Sequence, residues 1–148
     1  MRKTILFIGL TTLFSVIVFI AACGSGSNSS SGNVPSGKTI ATGPAGNNLT
    51  ATIANTDGVL RKGPQEFTLT FTDASGKPVD VGAVGFNNHM AAMGSMGAMN
   101  DAATLTTTGT AGVYKGKLEI EMAGEWQAQI TYEGPAGKGS FTLPIVAK

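Results

Sequence analysis

The chain is 148 residues long, carries ten basic and nine acidic side chains, and contains one Cys and one His. This near-neutral balance without a Lys/Arg cluster excludes a nucleic-acid binder, which needs concentrated positive charge. One Cys rules out an internal disulfide, and one His without a Gly-x-Ser-x-Gly elbow gives no serine triad. Nor does the chain supply an evident set of three His, Cys or carboxylate ligands for a catalytic zinc, so it reads as no enzyme.

In chain order, Arg2 and Lys3 form a basic end, followed by an apolar run from Ile5 to Ile20 broken only by Gly9, Thr11, Thr12 and Ser15. Its end, Ile20-Ala21-Ala22-Cys23, resembles the bacterial lipobox, in which small residues precede a Cys that is lipidated after cleavage. A single membrane-spanning helix is the alternative, because the run approaches the ~20 residues a bilayer requires. Small residues abutting a Cys match a cleavage site better than a stop-transfer flank. Residues 1–22 are therefore expected to be a lipoprotein signal peptide, and Cys23 the lipidated N-terminus of a protein held at a membrane of the cell envelope. Gly24 resembles the sorting residue of outer-membrane lipoproteins, if the cell has two membranes. Cleavage leaves eight basic against nine acidic residues, a net charge of about −1. The Gly/Ser-rich stretch that follows cannot bury enough apolar surface to fold, so residues 23–47 read as a flexible tether.

From residue 48 onward apolar residues alternate with polar ones, the period of half-buried strands. In 66–73 Phe67, Leu69 and Phe71 fall on one face and Thr68, Thr70 and Thr72 on the other. In 114–122 Tyr114, Leu118, Ile120 and Met122 point inward while Lys115, Lys117, Glu119 and Glu121 point outward. In 126–133 Trp126, Ala128, Ile130 and Tyr132 form the inner row. Weaker strands are expected at 48–54, 80–87, 101–108 and 138–147, the last at a sheet edge because it contains Pro144. Turn sequences rich in Gly, Pro, Asn and Asp separate them. The class is all-β: about seven strands over residues 48–148, as in an immunoglobulin-like sandwich, with a small barrel giving a similar count.

The longest segment left over is 88-NHMAAMGSMGAMN-100, expected to be a loop and holding four of the six methionines. Thioethers are soft, neutral ligands that select Cu(I) over Zn(II), Mg(II) or Ca(II). They also escape the disulfide chemistry that an oxidising compartment imposes on thiols. Met90, Met93, Met96 and Met99 recur every third residue, a spacing that a 3₁₀-like turn would stack on one side. His89 could add an imidazole. These five residues are the candidate metal ligands, with Cu(I) as the expected ion, Ag(I) as its surrogate, and buffering, sequestration or delivery of copper as the role. The alternative is an interaction module, since Met also serves promiscuous apolar surfaces. It would dock on an oxidase-assembly or efflux partner. Met122, in register with Leu118 and Ile120, is expected only to pack.

The order Asp73-x-x-Gly76-Lys77-Pro78-Val79, a Met-rich segment, Gly112-Val113-Tyr114 and 122-MAGEW-126 resembles the YtkA-like domains, which are FixH-related extracytoplasmic sandwiches. The resemblance covers roughly residues 48–148. It implies an immunoglobulin-like fold and a setting near copper handling, since FixH-type proteins are associated with assembly of copper oxidases. The similar CopC proteins bind copper through Met and His, and only His89, Met90, Met93, Met96 and Met99 match that here. The chain departs from CopC in lacking a second His, and from FixH in having a lipobox where FixH has a membrane-spanning helix.

Overall fold

The computed structural model describes residues 37–148. The expected signal peptide, Cys23 and the first part of the expected tether lie outside the described residues. Within them the chain forms nine strands: β1 Lys38–Gly46, β2 Leu49–Asn55, β3 Gly63–Thr72, β4 Ala83–Met90, β5 Met99–Ala102, β6 Thr104–Thr107, β7 Val113–Ile120, β8 Gly124–Gly134 and β9 Gly137–Ala147. They make two antiparallel sheets, ordered β1-β2-β3-β7-β6 and β5-β4-β8-β9, which face each other as a sandwich.

The alternation seen in the sequence defines the core. Phe67, Leu69 and Phe71 of β3 and Tyr114, Leu118 and Ile120 of β7 are buried from one sheet, and Trp126, Ala128, Ile130 and Tyr132 of β8 from the other. Position 116 of β7 is Gly because the Phe67 ring fills the space, so that a Cβ there would lie 2.2 Å from Phe67 Cζ. Phe67 in turn packs on Phe86 in a tilted pair with ring centroids 4.8 Å apart. Met122 lies beyond the end of β7, half-buried against the core, as a packing residue. Pro144 sits in β9, the sheet-edge strand, whose one strand partner is β8 and whose end bridges to Leu60.

Three boundaries differ from the sequence reading. Lys38–Gly46, assigned to the tether, is β1, and the fold begins ten residues before 48. Its turn to β2 is Asn47-Asn48, both with positive φ (51° and 57°), the backbone of a type I′ hairpin that Asn tolerates. The expected strand 101–108 is two strands in different sheets. Ala103 is the crossing point, its N–H bonded to the Phe86 carbonyl at 3.0 Å. Finally, the expected 88–100 loop is shorter: β4 runs through Met90 and β5 starts at Met99.

Motif residues that read as turns have the corresponding geometry. Asp73 Oδ1 accepts from the Ser75 N–H (2.8 Å), the Ser75 hydroxyl (2.6 Å) and the Lys77 N–H (3.1 Å). These bonds hold the Asp73 carboxyl below the ordinary Asp value, with the Ser75 hydroxyl contributing most. Gly112 has φ +74°, and a Cβ there would lie 2.2 Å from the Val79 carbonyl oxygen. Trp126 donates its indole N–H to the Met122 carbonyl at 3.1 Å, which ties the 122–126 turn to the core.

Candidate functional site

The methionine segment is a β-hairpin. Met90 faces Met99 as the last pair of the β4–β5 ladder, and Met93 faces Met96 in a bridge closed by reciprocal N–H···O bonds of 3.1 and 3.0 Å. Gly94 and Ser95 are the turn between them, with Gly94 at φ +59°. Both pairs are symmetric about that turn. A spacing of three therefore places methionines opposite each other across a hairpin, and the 3₁₀-like stack expected from the sequence is not what forms.

The same spacing divides them between settings. Met90 is the last residue of β4, and Met93 sits beyond it in an isolated bridge, so the two differ in setting. Met90 is 2% exposed, whereas Met93 and Met96 are 52% and 42% exposed. Met90 packs against Gly124, where an added Cβ would lie 2.9 Å from Met90 Cε. Met99 is half-buried against the core. The four methionines thus form one packed pair and one displayed pair.

His89 lines the same groove as Met93, and its placement is specified by polar neighbours. Its Nδ1 lies 2.9 Å from Asn100 Oδ1. That oxygen also accepts from Asn87 Nδ2 at 3.3 Å, and Asn87 Nδ2 donates to Gln129 Oε1 at 3.0 Å. With Asn100 Oδ1 as acceptor, Nδ1 carries the proton and the Nε2 lone pair is left for a ligand. Oriented by an amide in this way, a histidine resembles the metal-bound kind, whose second nitrogen is normally tied to an oxygen.

His89 and Met93 line one mostly apolar groove of about 330 Å³, together with Ala91, Glu125, Gln127, Pro144 and Val146 on the outer face and Met90, Trp126 and Ile145 beneath. Along an extended strand the two Cα positions are about 13 Å apart. Imidazole and thioether would meet by leaning toward each other over Ala91, whose methyl leaves the way clear. Wider depressions on both sheet faces, one over Gly85, Thr131 and Gly139 and one over Ala54, Thr68 and Lys115, gather no such donors. Among the described residues no three His, Cys, Asp or Glu side chains are grouped to hold a metal ion.

Sequence reasoning missed the supporting polar groups. Asn100 and Asn87 orient His89, and only the hairpin register reveals it. Asn88 is wholly buried with neither side-chain polar atom paired, facing Asp101, whose Oδ2 is likewise unpaired. Burial, then the Glu121 charge, push the Asp101 carboxyl up, the Glu121 backbone N–H opposes them, and the Glu119 charge adds the smallest upward push.

The fold is an antiparallel sandwich with a methionine hairpin at the end of β4 and β5 and His89 held by an amide beside it. The chain belongs to the YtkA-like family, whose sequence profile matches residues 45–131. That span includes the Asp73 turn, the hairpin, Gly112 and the 122–126 turn, and stops before β9. Comparison with curated proteins and with solved structures gave no match.

Proposed function

We propose that this is a non-catalytic, lipid-anchored protein of the cell envelope that binds Cu(I) at the β4–β5 hairpin, for buffering, sequestration or delivery of copper. Met93, Met96 and His89 Nε2 are the ligands, and Met90 and Met99 serve mainly to seat the hairpin. The observation that carries this reading is the exposed Met93–Met96 pair, opposed across the turn by backbone bonds, with Met93 lining the same groove as His89. Directly opposed strand residues have Cβ atoms roughly 5 Å apart, a span from which two flexible thioether arms converge on one ion. An S₂N set is soft enough for Cu(I) or Ag(I) and lacks the oxygen or thiolate donors that hard cations and zinc favour. Anchoring through Cys23 would hold the hairpin near the membrane, where copper-handling or oxidase-assembly proteins are the natural exchange partners.

Competition between the protein and a Cu(I) chelator tests the reading. The native chain should withdraw Cu(I), Ag(I) should compete and Zn(II) should not. Unchanged Cu(I) affinity when Met90, Met93, Met96 and Met99 are all replaced by Leu would sink it, because Leu retains most of the bulk and loses the sulfur.

A second reading has its own support: Val146, 55% exposed, lies in the same groove as Met93 and extends the apolar surface. On that reading the hairpin docks on a protein partner. The four Leu substitutions would then leave partner capture intact in the presence of a copper chelator.

A further inference from the structure

We infer that Met93 and Met96 form a reversible oxidation site, at which hydrogen peroxide converts each thioether to a sulfoxide and thereby switches off soft-metal binding at the hairpin tip. The switching half rests on the Cu(I) reading above; the oxidation half does not. Exposure and packing sort the methionines. Met93 and Met96 present half-exposed side chains at a turn tip, and susceptibility to oxidation follows access. Met90 is 2% exposed and packs against Gly124, so its sulfur is shielded from the reagent. Met99 and Met122 are half-buried against the core.

The fold tolerates the change at the tip. The turn is closed by backbone bonds between residues 93 and 96, and neither side chain belongs to the core. In the reaction a sulfur lone pair attacks one peroxide oxygen, the O–O bond breaks and an S–O bond forms. Sulfur loses two electrons, and the departing hydroxide takes a proton to leave as water. The product presents a polar, harder donor where a soft one stood, which Cu(I) disfavours. Reversal needs two thiols of a sulfoxide reductase, which take the oxygen as water and become a disulfide; one enzyme serves each sulfoxide epimer.

The test treats the metal-free full chain in detergent with limiting hydrogen peroxide, and fragment-ion mass spectrometry locates each added oxygen. Met93 and Met96 should react at least about tenfold faster than Met90, in line with their access. Met90 or Met122 reacting as fast as Met93 and Met96 would overturn the site. The oxidised chain is then titrated with Cu(I). Uptake should fall to that of the Met93→Leu/Met96→Leu variant and return after treatment with both methionine sulfoxide reductases. Selective oxidation with Cu(I) uptake unchanged would overturn the switch. A native chain that takes up no Cu(I) would overturn the copper reading, and the switch with it, while the peroxide map decides the oxidation site by itself.

Discussion

The division of the methionines into a packed pair and a displayed pair predicts a double dissociation. Met90 is almost wholly buried, so Met90→Ala removes its thioether arm from the core and leaves a cavity. Such substitutions cost about 2–5 kcal/mol, a large part of the 5–15 kcal/mol that typically separates folded from unfolded chains. Met90→Leu keeps the volume and should cost under about 1.5 kcal/mol. Met93→Leu and Met96→Leu sit at exposed positions and should change stability by no more than about 0.5 kcal/mol. For Cu(I) the order inverts. Losing one of three ligands should weaken binding by at least about tenfold, equivalent to about 1.4 kcal/mol, at 93 or 96, while Met90→Leu should leave affinity close to native. Urea denaturation gives the first ranking and chelator competition the second. Cu(I) affinity falling as far with Met90→Leu as with Met93→Leu would refute the division, since it would require the buried sulfur to reach the ion.

Further outcomes follow from the scaffold. Gly112→Ala places a methyl against the Val79 backbone at a φ of +74° and should cost at least about 4 kcal/mol, seen as a collapse of the urea midpoint. Tyr132→Phe removes a hydroxyl that donates to the Ala45 carbonyl at 3.1 Å and accepts from Asn47 Nδ2 at 3.0 Å. It should cost about 1–2 kcal/mol and loosen the β1–β2 turn, measurable by amide exchange at Asn47 and Asn48. Asn88→Leu removes two buried, unpaired polar atoms and should stabilise the chain by about 1–3 kcal/mol. Asp73 has a depressed folded pKa, so its contribution is present above the ordinary value of 3.8 and is lost as pH falls through the folded value. The stability gap between the native chain and Asp73→Ala should therefore be widest near neutrality and close in acid, which a series of urea titrations across pH reads directly.

The inner rows of β3, β7 and β8 were legible in the sequence because each strand buries an alternating apolar row, with Thr70 and Val113 the buried exceptions on the other face, and period-two alternation records that directly. β1 was not legible for the complementary reason. Its sequence KTIATGPAG buries only Ala45 fully; it is an edge strand held by backbone pairing to β2 and packing against β9. Such a strand needs no apolar row, and its Gly and Pro residues look like a tether. The one local sign was Asn47-Asn48, a doublet suited to a left-handed two-residue turn. The crossing at Ala103 was hidden because Thr104–Thr107 continues the polar character of the residues before it, and nothing in composition marks a change of sheet.

At the site, residue types were legible and geometry was not. Five residues named from the sequence, His89, Met90, Met93, Met96 and Met99, all lie on one hairpin, yet they do not share one face. A three-residue spacing has different meanings in different backbones: it stacks side chains in a 3₁₀ turn and alternates them in a strand. Once Gly94 and Ser95 form the turn, the spacing does two things together. It pairs Met93 with Met96 and Met90 with Met99 across the hairpin, and it leaves the first pair exposed at the tip while the second is packed on the core. The inner pair anchors the hairpin in the sandwich, so the outer pair can stay exposed without loosening the fold. Asn100, opposite His89 in the same register, then fixes the imidazole on the displayed side. A loop of the same composition would have offered four interchangeable sulfurs; the hairpin offers two, with a histidine, and keeps the others for packing.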